Sequence, residues 1–123
     1  MNKDIKILIA EDEKPLAGAM DLKLRKEGFK TEVAYNGREA MDILQKGKID
    51  LVILDLIMPV LDGFGVLSEA KEKGIKAPII VVSNLVQIGD KTKAKELGAV
   101  DFLIKSETPM AKIIEKINEF LKI

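Results

Sequence analysis

The sequence contains no cysteine, no histidine and no tryptophan, and only one tyrosine among its 123 residues. Without cysteine there is no disulfide framework, no thiolate nucleophile and no cysteine-based zinc site. Without histidine the usual general base, proton relay and metal ligand is missing. Net charge is lacking too, since 20 Lys and Arg stand against 20 Asp and Glu. A sequence-independent grip on nucleic acid or on an anionic membrane rests on surplus basic residues, so neither is expected. No run approaches the ~18 apolar residues of a membrane span. The apolar stretch at 5–10 is too short for a signal peptide and gives way at once to Glu11-Asp12-Glu13. A soluble, cytoplasmic protein is the expectation, with chemistry confined to carboxylates, hydroxyls, lysines and backbone amides.

What is present is apolar and periodic. Hydrophobic residues make up 47% of the chain, which excludes global disorder. The length suits one domain over residues 1–123, able to bury roughly two thirds of its unfolded surface. Short apolar runs of strand length fall at 5–10, 31–34, 51–54, 78–82 and 101–104. Helical spacing fills the gaps, and most helices end at a glycine. The first helix begins near Pro15 and shows Leu16, Met20 and Leu24 before Gly28. Asn36 caps the second, with Glu39 placed to reach back as in a capping box. The third follows Gly63 and stops at Gly74. The fourth, over about 88–97, has a thin apolar face of Ile88, Ala94 and Leu97. The fifth is expected to start with Thr108 as cap and Pro109 in the first turn, and to bury Ile113, Ile114 and Ile117. Alternating strand and helix predicts an α/β fold, a (βα)5 doubly wound parallel sheet in the flavodoxin-like order 2-1-3-4-5. The unbroken apolar run at 51–54 fits a strand buried on both faces.

Ligands of open parallel sheets bind beyond the carboxyl ends of the strands. Here those exits carry Glu11-Asp12-Glu13, Asp55, Ser83-Asn84 and Lys105-Ser106. Glu11, Asp12 and Asp55 with Lys105 leave a local charge of about −2, which is costly unless something compensates. A hard divalent cation does so, and Mg²⁺ favours carboxylates, carbonyls and water. The acids after the first strand would repel a nucleotide phosphate, and no phosphate-binding loop of the G-x-x-x-x-G-K-[ST] type is present.

The stretch Asp55-Leu56-Ile57-Met58-Pro59-Val60-Leu61-Asp62-Gly63 resembles the phosphoacceptor strand and loop of response regulator receiver domains in two-component signalling, including the chemotaxis-type single-domain receivers. Gly98-Ala99-Val100-Asp101-Phe102-Leu103-Ile104-Lys105 resembles their fifth strand and its lysine. The resemblance spans the whole chain, and Glu11, Asp12 and Ser83 complete it. It implies that Asp55 accepts a phosphoryl group from a histidine kinase or a histidine phosphotransfer protein. It implies Mg²⁺ bound by Asp12, Asp55 and the Ile57 backbone carbonyl, with Glu11 supporting through water. Lys105 would meet the phosphoryl oxygens, Ser83 would hydrogen-bond one of them, and Phe102 would hold the switch-aromatic position. The resemblance also implies a protein that promotes its own aspartyl phosphorylation and dephosphorylation without being a turnover enzyme. It would act as a monomer or a weak phosphorylation-dependent dimer, and would dock an unidentified output protein through the helix 4–strand 5–helix 5 face.

Two positions depart from the family pattern. Ser106 stands where proline is usual, so the bond from Lys105 is expected either trans with a reshaped loop or as a strained exception. Asn84 replaces a small residue. Ile57 and Leu85, two residues beyond Asp55 and Ser83, are apolar and cannot orient an attacking water, which predicts a long-lived phosphoryl-aspartate. Two alternatives stay open. One is a receiver-like interaction module without phosphate turnover. The other is a Mg²⁺-dependent phosphotransferase or phosphatase using Asp55, although Asp55-Leu56-Ile57 lacks the second acid of a D-x-D motif. The sequence shows no effector domain, so output would come by docking, unless the chain is part of a longer regulator.

Overall fold

A computed structural model describes residues 4–84 and 87–123; Leu85 lies outside them. The elements run β1 (Lys6–Ala10), α1 (Lys14–Lys26), β2 (Lys30–Ala34), α2 (Gly37–Lys46), β3 (Leu51–Leu54), α3 (Gly63–Glu72), β4 (Ile79–Ser83), α4 (Asp90–Glu96), β5 (Asp101–Ile104) and α5 (Met110–Leu121), with a 3-10 turn over Lys105–Glu107. The five strands are all parallel, in the expected order β2-β1-β3-β4-β5.

Side-chain alternation explains why the strands are apolar at almost every position. Ile7, Ile9, Leu51, Ile53, Ile80 and Val82 point to one face, where they pack with Met20 and Leu24 of α1 and Ile113 and Ile117 of α5. Leu8, Ala10, Val52, Leu54, Ile79 and Val81 point to the other, against Met41 and Leu44 of α2, Val66 and Leu67 of α3 and Ala94 of α4. Each Leu or Ile buried in this way contributes about 1.5–3 kcal/mol. The register aligns Ala34, Ala10 and Leu54, and sets Ser83 beside Ile104. The residues that follow therefore share one rim.

Several local expectations are corrected. β4 is displaced by one residue, so Ser83 is the last residue of the strand rather than the first beyond it. α4 is shorter than expected because Gly89, at φ 96°, forms its N-cap and Ile88 is fully exposed. Thr108 does not cap α5. Its hydroxyl donates to the Ile104 carbonyl over 2.7 Å, and Pro109 takes the N-cap position. α2 starts as expected, with Asn36 Oδ1 accepting from the Glu39 N–H at 2.8 Å. The Glu39 carboxylate reaches the Tyr35 N–H, one residue upstream of the usual box partner. Among the described residues no peptide bond is cis, so the Lys105–Ser106 bond is trans and the loop is reshaped into the 3-10 turn.

Candidate functional site

The β1 and β3 exits carry the buried acids. Glu11 is 2% and Asp55 5% exposed. Both are fixed by backbone: the Glu11 N–H donates to the Ala34 carbonyl and the Asp55 N–H to the Ala10 carbonyl, each at 3.0 Å. The loop after Asp55 is then pressed back onto its own strand. The Gly63 N–H bonds the Leu56 carbonyl at 2.9 Å, and a Cβ on Gly63 would stand 2.6 Å from both the Asp55 carbonyl oxygen and Leu56 Cα. Asp62 caps α3 by accepting from the Gly65 N–H. Between them the Leu61 N–H reaches the Pro59 carbonyl at 2.8 Å, closing a three-residue turn on Val60 at φ 70°. A β-branched residue in that region is strained.

Ser83, Lys105 and Ile57 converge on Asp55. Its Oδ1 accepts from the Ser83 hydroxyl at 2.8 Å and from the Ile57 N–H at 3.1 Å. Its Oδ2 accepts from Lys105 Nζ at 2.6 Å, and the same ammonium donates to Glu11 Oε1 at 2.6 Å. Burial pushes the Glu11 carboxyl above its ordinary range, although the Lys105 and Glu13 hydrogen bonds oppose the rise. Burial pulls the Lys105 ammonium down, but the hydrogen bonds to Asp55 and Glu11 outweigh it and hold the lysine above its ordinary range.

A cleft of about 180 Å³ opens over these groups, lined by Asp12, Glu13, Asp55, Ile57, Asn84 and Lys105. Glu11, Asp12 and Asp55 each bring a carboxylate oxygen within 4.8 Å of the others, an all-oxygen cluster that could hold a hard divalent cation. Phe102 is 7% exposed and packs in the core on the α4 side of the sheet, not on the surface. The expected residues thus form one cluster except Phe102, which lies beneath the rim.

Glu13 was not singled out as a site residue, yet its carboxylate lies 3.7 Å from Lys105 Nζ. Nor was the pairing of Ser106 with Asn84, whose Oδ1 accepts the Ser106 N–H at 2.7 Å. The signal for the second was available as two departures at neighbouring strand exits.

Residues 7–118 match the family model of the response regulator receiver domain. The chain belongs to this family. Among curated proteins it is 38% identical over 100 residues to the transcriptional regulatory protein PcoR of Escherichia coli, covering 81% of this chain and 44% of that one. It therefore spans less than half the length of that relative. Among solved structures it is similar to the receiver domain of the Francisella response regulator 1452, with a TM-score of 0.90, 30% identity and coverage of 96% and 97% of the two chains. It is also similar to the Vibrio cholerae chemotaxis protein CheY4, with a TM-score of 0.85, 25% identity and coverage of 94% and 97%. As a receiver domain, this chain carries an acid, a hydroxyl and a lysine converging at the rim of its sheet. No helix among the described residues is long and apolar enough to cross a membrane.

Proposed function

We propose that this receiver domain, a single unit over residues 1–123, takes a phosphoryl group on Asp55 from a phosphohistidine of a histidine kinase or phosphotransfer protein. The observation that carries the reading is the threefold hold on Asp55, with Ser83 and the Ile57 N–H on Oδ1 and Lys105 on Oδ2. An Asp55 oxygen forms the new O–P bond as the donor's N–P bond breaks, the histidine nitrogen keeping the electron pair. Phosphoryl transfer needs an aligned nucleophile and positive charge near the equatorial oxygens, and Lys105 stands where it can supply part of that charge. When bound, Mg²⁺ supplies the rest; Asp12, Asp55 and the Ile57 carbonyl would hold it, with Glu11 acting through water.

The modification replaces the carboxylate charge with a phosphoryl group of about −1.5 to −2, a net gain of about −1, and brings three acceptor oxygens. Lys105 and the Ser83 hydroxyl then turn from the carboxylate to those oxygens. Ser83 leaves space on the face of the sheet that Phe102 shares, and Phe102 shifts into it. The movement passes to α4, whose only fully buried residue is Ala94, and so to the α4–β5–α5 face that meets the output protein. One transfer to its own side chain makes the chain a switch and not a turnover enzyme. We expect it to act in the cytoplasm through protein docking, and its zero net charge gives it no general electrostatic grip on nucleic acid.

The test is incubation with a small phosphodonor and Mg²⁺, followed by intact mass. A single phosphoryl adduct, absent in Asp55→Asn, is expected. No adduct would leave an interaction module, and release of many equivalents of phosphate would make it an enzyme. Exposed Ile57 beside Asp55 cannot orient water, so the adduct should persist well beyond seconds.

A further inference from the structure

Asn84 and Ser106, which follow Ser83 and Lys105 at two neighbouring strand exits, hold each other. The Ser106 N–H reaches Asn84 Oδ1 over 2.7 Å. Proline at 106 has no N–H to give, and a small residue at 84 has no oxygen to receive it. Each departure from the family pattern serves this contact only in company with the other. The trans bond and the 3-10 turn make it possible, because the first N–H groups of such a turn have no partner within it.

The bond also orients the carboxamide. Only its oxygen accepts, so the Oδ1 end is committed to Ser106 and the Nδ2 end is the donor. Asn84 lines the cleft with Asp12, Asp55, Ile57 and Lys105. None of the three acids there, Asp12, Glu13 and Asp55, can donate a hydrogen bond to a phosphoryl oxygen when ionised, whereas an amide N–H can.

We infer that Asn84 and Ser106 form one screening unit, in which Ser106 is a positioning residue that holds the Asn84 carboxamide at the mouth of the cleft. There the carboxamide donates to the phosphoryl group on Asp55 and blocks the approach of water. This rests on the proposed phosphorylation of Asp55. Hydrolysis is attack of a water oxygen on phosphorus, with the P–O bond to Asp55 breaking, the carboxylate restored and inorganic phosphate leaving. The unit slows that step.

The test compares adduct lifetimes by intact mass, after phosphorylation with a small phosphodonor and Mg²⁺, in wild type, Asn84→Ala, Ser106→Pro, the double variant and Ser106→Ala. Asn84→Ala and Ser106→Pro should each shorten the lifetime about fivefold, the worth of one hydrogen bond. The double variant should match the single ones, and Ser106→Ala, which keeps its N–H, should match wild type. Multiplying effects in the double variant, an unchanged Asn84→Ala, or a Ser106→Ala that behaves like Ser106→Pro would overturn the inference. Where Ser106→Pro does not fold, amide exchange at Ser106 decides: it should be protected in wild type and about tenfold faster in Asn84→Ala, as expected for an opened hydrogen bond. Equal exchange overturns the inference. A wild type that takes no adduct would instead fell the proposed function, and the screening role with it.

Discussion

Around β1 and β3 the site rests on backbone packed against backbone, while at the buried end of β4 and beyond the edge strand β5 it rests on side-chain contacts, beside a thinly packed α4. Glu11 and Asp55 are buried, tied by their N–H groups to neighbouring strands, and backed by a loop so close that Gly63 has no room for a Cβ. On the other side, α4 is seven residues long and fully buries one of them, Ala94. Asn84 and Ser106 meet at the surface. The contrast suits the switch proposed above. A nucleophile must keep its place to within fractions of an ångström, whereas groups that change partners belong where few buried contacts resist opening.

Mutations on the two halves should therefore behave differently. The largest effect is expected for Gly63→Ala, which forces a Cβ to 2.6 Å from two backbone atoms of residues 55 and 56. It should cost about 3 kcal/mol in denaturant unfolding and slow phosphorylation as well, because the strain lands on the proposed phosphoacceptor. A stability close to wild type would show that this half yields, and would erase the contrast. Ala94→Gly comes next, at about 1 kcal/mol from helix propensity. Its signature is regional, with faster amide exchange over residues 90–97 and little change in β1 or β3. Exchange rising evenly across the sheet would tie α4 into the global unit. Val60→Gly should act in the opposite direction, gaining somewhat under 1 kcal/mol on thermal unfolding. It relieves the positive φ at 70° but gives part of that back through a more flexible unfolded chain. A loss of stability would mean the three-residue turn is unstrained.

How much of this could be read from the sequence follows the same division. The strands were legible because both faces of the sheet are covered, so residues such as 51–54 carry no polar interruption. Glu11, Asp12, Asp55, Ser83 and Lys105 were legible because parallel strands of matched register must deliver their exits to one rim. Shorter-range packing decided what was missed. Ile88 looked like the start of an apolar face, but the left-handed Gly89 starts the helix after it. Thr108 looked like a cap, yet its hydroxyl finds the Ile104 carbonyl first. The closeness of Gly63 to Asp55, and the meeting of Asn84 with Ser106 across 22 positions, depend on how loops fold back, which spacing in the chain does not encode.

The proposed phosphorylation of Asp55 should leave the β1–β3 half in place and remodel the β4–β5 half. Hydrogen exchange on the intact protein, with and without the phosphoryl adduct, tests it most directly. Changed protection is expected over residues 90–107, with residues 7–10 and 51–54 unchanged. Changes confined to β1 and β3, or no difference along the whole chain, would contradict it.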